Sequence, residues 1–283
     1  MMRNPQRTQS IAFFFLFLAT LLIVLPVGLV IVIIIQKGAP AINWQFITDI
    51  PRQGMRAGGI FPAIVGTVYL VLGAMIFALP IGLLAAIYLA EYARENFLNR
   101  MIKLSIVNLA GVPSVVYGLF GLALFVIFFK FGASILSGSL TLGIMILPLI
   151  ITASREALES VPYSFREVSY SLGASKWQTI RHIVLPNAIP GILTGTILGL
   201  GRAAGETAPI LFTVAAFYLP RLPHSLFEQA MALPYHLYVI STQVPNVEEK
   251  VRYGTALVLL VLVIFMNLVA IIIRYQFRKK KKW

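Results

Sequence analysis

The stretch IAFFFLFLATLLIVLPVGLVIVIII, residues 11–35, decides the fold. Wound as a helix at 1.5 Å per residue, it is about 37 Å long, enough to cross roughly 30 Å of hydrocarbon with some tilt. A signal peptide is the competing reading, because Arg3 and Arg7 precede the run and Ala39-Pro40-Ala41 has the small-residue look of a cleavage site. Signal-peptide cores span only about 7–15 residues. The run therefore reads as a retained first membrane span.

Working outward, five more apolar segments follow, and the six spans are expected near residues 11–36, 60–90, 102–129, 135–153, 189–219 and 254–277. Several contain proline (Pro62, Pro80, Pro113, Pro148, Pro209), which membrane helices tolerate where neighbours satisfy the freed carbonyls. Composition agrees: the chain is 59% hydrophobic and only 12% charged, where a soluble domain carries about a quarter charged residues. The absence of cysteine excludes disulfides, thiolate catalysis and cysteine metal sites. No soluble domain, low-complexity linker or long repeat is evident. The expected fold is a single all-α integral membrane domain over residues 1–283.

Six spans put both termini on one side, and the basic residues say which. The terminal side carries Arg3 and Arg7, then Arg94, Arg100 and Lys103, then Arg155, Arg166, Lys176 and Arg181, then Arg274 and Arg278 to Lys282, fifteen in all. The opposite side carries seven: Lys37, Arg52, Arg56, Lys130, Arg221, Lys250 and Arg252. This bias places both termini in the cytoplasm. The net charge of +13 sits in short runs between spans and at the C-terminal end, which fits contact with membrane lipid headgroups and not a face tracking nucleic acid.

The segment 154–188 differs from the other loops. It is polar, cytoplasmic by the charge count, and reads as two short helices over 164–172 and 175–183, hinged at Gly173 and closed by Pro186. Glycine suits the hinge because it accepts positive φ at no steric cost. A phosphate-binding Gly-x₄-Gly-Lys-Ser/Thr string is missing from the chain, so ATP hydrolysis is not expected of it.

Glu167-Val168-Ser169, three residues, Gly173, nine residues and Ile183-Val184-Leu185-Pro186 together resemble the EAA signature of permease subunits of ATP-binding-cassette importers. Val168 and Ser169 stand where the family has alanines, and the spacing otherwise matches without gaps. The resemblance implies a type I importer permease fold, with 154–188 as a coupling loop docking on a separate ATPase. Glu167, Val168, Ser169, Gly173, Ile183, Leu185 and Pro186 are the residues it assigns to that loop. ATP would be bound by the partner ATPase, with no cofactor in this chain.

A second informative string is Gly201-Arg202-Ala203-Ala204-Gly205-Glu206-Thr207-Ala208-Pro209. If the fifth span leaves the cytoplasmic interface near Ile189, Arg202 lies ~20 Å along it, close to mid-bilayer. A charge there costs roughly 2.5–3.5 kcal/mol on insertion scales, so it faces the bundle interior or a watery path. Glu206, four residues on, falls on the same helical face. Two readings stand together: an ion pair locking helices, and an anion path with Arg202, Glu206 and Thr207 along it.

The string also resembles the permease subunits of bacterial high-affinity phosphate importers, as do Arg155-Glu156-Ala157-Leu158-Glu159-Ser160-Val161-Pro162 and Gly173-Ala174-Ser175-Lys176-Trp177. This resemblance implies inorganic phosphate as cargo, a second homologous permease, an extracytoplasmic phosphate-binding protein and a place in the bacterial cytoplasmic membrane. Sulfate and molybdate permeases share the EAA loop and are the alternative oxyanion readings. An ion-coupled secondary transporter using Arg202 and Glu206 as a relay is the rival from another class; it would show internal repeat symmetry, which is not seen.

Other polar residues fit no chemistry. His182, His224 and His236 lack second ligands at metal spacing and read as interfacial groups; no metal is expected. Trp44, Tyr88, Tyr92 and Tyr275 sit near span ends as interfacial anchors. Asn108 and Asn267 read as interhelical hydrogen-bonding groups. A short helix is expected over 226–241, broken at Pro234, in a segment capping the bundle.

Overall fold

The computed structural model describes residues 5–279, without the side chains of residues 5–8, 10, 11 and 278. Arg3 and Lys280 to Lys282, counted above among the basic residues, lie outside the described residues, as do the side chains of Arg7 and Arg278. The elements are α1 (Pro5–Gly38), a short α2 (Trp44–Thr48), α3 (Phe61–Ile87), α4 (Phe97–Ala110), α5 (Ser114–Gly121) and α6 (Ile135–Glu159). They continue with α7 (Tyr163–Ser171), α8 (Lys176–Thr179), α9 (Leu185–Gly205), α10 (Ala208–Thr213), α11 (Leu233–Thr242) and α12 (Glu249–Lys279). Three helices carry a widened π turn, at Tyr88–Tyr92 after α3, Leu122–Phe128 after α5 and Ile180–Val184 between α8 and α9. Among the described residues, five stretches are long and apolar enough to cross a membrane alone: Ala12–Ala41, Phe61–Tyr92, Ile135–Glu159, Lys176–Gly205 and Glu249–Phe277.

The third expected span is not one helix. α4 and α5 meet at a bend of 102°. Pro113 has no N–H to continue the ladder and drives Val112 out of the helical region, and Gly111 adds a weak helix former, so α4 stops at Ala110. At fourteen residues, about 21 Å, α4 is too short to cross alone. A sixth crossing exists only if the bent pair is counted as one. Counted so, both ends fall on one side, the side that the charge count assigns to the cytoplasm.

Small residues let α3, α6 and α9 approach closely. A Cβ added at Gly73 would lie 2.4 Å from Ser139 Oγ, and one at Gly82 would lie 2.7 Å from Ile150 Cγ2. On α9 the glycines repeat every fourth residue: Gly191 faces Ala157, Gly195 faces Ala153 and Gly199 faces Ile150. This small-xxx-small ridge is the usual means by which membrane helices gain packing where hydrophobic burial gives no drive. The main core gathers Leu70, Val71, Leu142, Met145, Ile146, Ile150, Ala203 and Ala204. A second, smaller core at the cytoplasmic end joins Ala86, Ile87, Leu158, Val161, Ile180, Val184 and Ile192.

The second half of the segment after α10 is built into the bundle. Ala230 to Leu233 are fully buried, Ala216 N–H donates to Ala230 O and Leu233 N–H donates to Thr67 Oγ1. Pro234 lies in the first turn of α11, where its missing N–H costs nothing, so it starts that helix where a break was expected. His236 is likewise buried, not interfacial. Trp44, Tyr88, Tyr92 and Tyr275 are exposed near helix ends, as anchors would be.

Candidate functional site

Two places carry the polar chemistry. The first is the cytoplasmic hairpin. Because α6 runs on to Glu159 and helix resumes at Lys176, the connection between spans shrinks from the expected 154–188 to about residues 160–175. α7 ends in a Schellman arrangement: Gly173 N–H donates to Tyr170 O, Ala174 N–H to Ser169 O, and Gly173 takes φ +81°. Nothing lies within 4 Å of a Cβ added at Gly173, so glycine is required there by backbone conformation alone. Ser175 then caps α8 through a capping box with Gln178.

Pro186 does not close the second helix. The π turn lets Leu185 N–H reach Ile180 O five residues back, which absorbs the donor and the space that Pro186 removes. Helix therefore continues from Lys176 to Gly205. Ile183 lies within the π turn, half-buried, with Leu185 and Pro186 half-buried behind it. Glu167, Val168 and Gly173 face outward, with Tyr163, Leu172 and Trp177 as exposed apolar neighbours; Leu172 is 83% exposed. Ser169 turns inward, and its hydroxyl pairs with that of Thr179 at 2.8 Å, tying α7 to α8.

Sequence reasoning missed what holds this hairpin. Arg166 is buried, with Nη2 2.6 Å and Nε 3.3 Å from Glu91 Oε1 in the π turn after α3. It also donates to Leu158 O (3.0 Å) in the last turn of α6 and to Val161 O (2.7 Å) just past that helix. Beside it, Lys176 Nζ sits 4.8 Å from the centre of the Tyr92 ring. Glu91 and Arg166 are 75 positions apart, and a buried pair at such separation leaves no local pattern.

The second place is the string at Arg202. α9 stops at Gly205, fourteen residues short of the expected end of that span, and Glu206 turns to an extended conformation (φ −78°, ψ 136°). Glu206 thus lies beyond the helix, not one turn along it. Its Oε1 still comes 3.5 Å from Arg202 Nε, with the side chains 33% and 19% exposed for Arg202 and Glu206. Thr207 precedes α10, whose first turn holds Pro209, and α10 seats against Gly118 of α5.

The depth of this break follows from the antiparallel packing of α9 and α12. Arg274 Nη1 donates to Thr194 Oγ1 at 3.1 Å near the cytoplasmic end, and Gly201 faces Asn267 seven residues further along each helix. Arg202 is therefore about 12 Å inward of Arg274, near the middle of the bilayer. Asn267 Oδ1 is buried without a hydrogen-bond partner. Exposed Leu198, half-exposed Arg202 and exposed Gly205 share one stripe of α9.

Fold and geometry define an integral membrane transport component: crossing helices, a cytoplasmic hairpin with an apolar tip, and a charged break at mid-depth. The chain belongs to the family of binding-protein-dependent transport system inner membrane components, whose model matches residues 78–283. It is an importer permease of the ATP-binding-cassette class, resident in the inner membrane. It is 35% identical to the probable ABC transporter permease protein YqgI of Bacillus subtilis, over 89% of this chain and 90% of that one. It is 33% identical to the phosphate transport system permease protein PstA 1 of Mycobacterium tuberculosis, over 97% of this chain and 90% of that one. Its fold matches a chain of the bacterial alginate ABC transporter solved with an alginate pentasaccharide-bound periplasmic protein, with TM-score 0.66 and 15% identity over 94% and 93% of the chains. This membership sets aside the secondary-transporter reading.

Proposed function

We propose that this permease passes inorganic phosphate into the cytoplasm, as one of two homologous membrane subunits served by separate ATPase subunits and an extracytoplasmic phosphate-binding protein. ATP is bound by the ATPase partners, and this chain carries no cofactor or metal of its own. The observation that carries the reading is the charged break at Arg202–Glu206, at mid-depth with an open face. A half-exposed guanidinium cannot face hydrocarbon, so that stripe of α9 borders water or a second protein surface. The end of α9 argues the same way. Glu206 N–H does not return to the helix, and irregular backbone at membrane depth is tolerated where it lines a cavity.

The pair suits phosphate in particular. Phosphate near neutral pH keeps at least one P–OH donor, whereas sulfate has none. Arg202 attracts the anion, and the Glu206 carboxylate, which only accepts hydrogen bonds, receives the P–OH and repels a fully ionised oxyanion. Thr207 adds a hydroxyl at the break. The exposed tip of the hairpin, Glu167 and Val168 on α7 with Leu172 and Gly173 just past it, is the ATPase contact, where Val168 and Leu172 enter an apolar cleft. The similarity to PstA 1 over nearly the whole chain supports phosphate over sulfate or molybdate.

The test is uptake by proteoliposomes holding the complete complex. Wild type is expected to take up phosphate and reject sulfate, and Glu206→Gln to admit sulfate while losing phosphate selectivity. If Glu206→Gln leaves both unchanged, the assignment of phosphate to this pair fails.

A further inference from the structure

We infer that Glu91 and Arg166 form a clamp that makes α3 move with the coupling hairpin, so that Glu91 is a positioning residue for transport although it lies far from the substrate break. This inference rests on the importer reading. Its starting point is covalent geometry. α8 runs into α9 without interruption, so a displacement of the hairpin reaches Arg202 along one helix. α3 has no such connection to the hairpin, yet it packs along α6 through Gly73 and Gly82 and contributes Leu70, Val71, Ala74 and Ala78 to the main core that also holds Ala203 and Ala204.

The clamp supplies the missing link. Side-chain exposures of 9% for Arg166 and 7% for Glu91 place the pair out of water, where removing one partner strands the other charge. From α7, Arg166 binds Glu91, Leu158 O in the last turn of α6 and Val161 O just past it at the same time, so three elements share one guanidinium. The π turn is what brings Glu91 there: the ladder widens so that Ala93 N–H bonds to Tyr88 O, five residues back, and the Glu91 carboxylate is buried against α7. Lys176 on Tyr92 adds a second contact from the other arm of the hairpin to the same turn. Beneath lies the small cytoplasmic core, in which Ala86 and Ile87 of α3 meet Ile180 and Val184 of the hairpin's second arm. Arg166 directly precedes Glu167, so the face that meets the ATPase and the residue that grips α3 are adjacent positions on one helix.

The measured quantity is phosphate moved per ATP hydrolysed by the reconstituted complex. Glu91→Gln is expected to lower that ratio about tenfold while ATP hydrolysis continues, because the ATPase contact stays and only transmission is lost. The exchanged pair Glu91→Arg with Arg166→Glu is expected to recover part of the ratio. Should Glu91→Gln fail to assemble, the chain's lack of cysteine offers a covalent version. Glu91→Cys with Arg166→Cys is assembled with a reversible bis-thiosulfonate linker across the two thiols; the linked form is expected to be coupled and the reduced form uncoupled. Equal ratios in wild type and Glu91→Gln, or in linked and reduced forms, overturn the clamp. A wild-type complex that hydrolyses ATP but moves no phosphate overturns the phosphate reading instead, so the two failures are distinguishable.

Discussion

The chain breaks its helices twice at polar sites, at Gly173 in water and at Glu206–Thr207 inside the membrane, and the two breaks are finished differently. At Gly173 every device for closing a helix end is present: a left-handed glycine, two reverse hydrogen bonds, and a capping box restarting the next helix. At Glu206 the chain simply leaves the helix, within reach of a guanidinium and without returning its N–H. Water would have satisfied the first break without help, and hydrocarbon cannot satisfy the second. The difference teaches where rigidity is needed and where an occupant is expected: the outer break is a fixed shape, as the proposed ATPase contact requires, and the inner one is left open, as the proposed anion path requires.

Breaking the inner site carries the largest expected effect. Arg202→Ala removes the guanidinium that faces Glu206 across 3.5 Å, and uptake is expected to fall a hundredfold or more while the ATPase still co-purifies. Next comes the glycine ridge that joins the two breaks. Gly195→Val drives new atoms into Ala153, 2.4 Å from where the first of them would sit, and thermal melting in detergent should report a loss of roughly 1–3 kcal/mol. At the outer break, Gly173→Ala places a Cβ in the left-handed region at a cost of about 1–2 kcal/mol. Since no neighbour clashes, the expected result is about tenfold weaker retention of the ATPase in pull-downs, with unchanged membrane insertion.

The smallest effect tests acid sensitivity away from both breaks. Burial pushes His236 in α11 down to about 4, below its ordinary value near 6.5, so the unfolded chain binds a proton that the folded one refuses. Stability from this group is complete above about pH 6.5 and declines as pH falls toward 4. Melting scans at pH 7.5 and 5 should differ by roughly 3–5 °C more in wild type than in His236→Phe. Equal differences would show that acid acts elsewhere.

Much of this was legible in the sequence, for reasons that also mark the limit. Gly173 and the residues at fixed spacing around it are local, so the hairpin and its hinge could be read directly. Residues 11–35 and 254–277 are apolar throughout, and hydropathy finds such spans. The 102° bend at Gly111–Pro113 was hidden because hydropathy records how apolar a run is and not its direction. The stop at Gly205 was hidden likewise, since residues from Ala208 on stay largely apolar as far as Leu219 although the helix has ended. The buried half-helix at Leu233 followed polar residues, and Pro234 looked like a breaker because only its position in the first turn reveals it as a starter. Arg202 and Glu206 were found because charge inside an apolar run is conspicuous. Arg166 and Glu91 were missed because each sits among polar residues near the membrane surface, where a charge draws no notice.

The π turn before Pro186 has a mechanical consequence. By keeping helix unbroken from Lys176 to Gly205, it makes a lever whose short end lies at the hairpin. Arg202 is twenty-six positions from Lys176, about 39 Å along a straight axis, so a tilt of about 5° at the base swings the guanidinium by about 3 Å. That stroke is the width of one water molecule, enough on the proposed path to separate a charge from an anion it was touching.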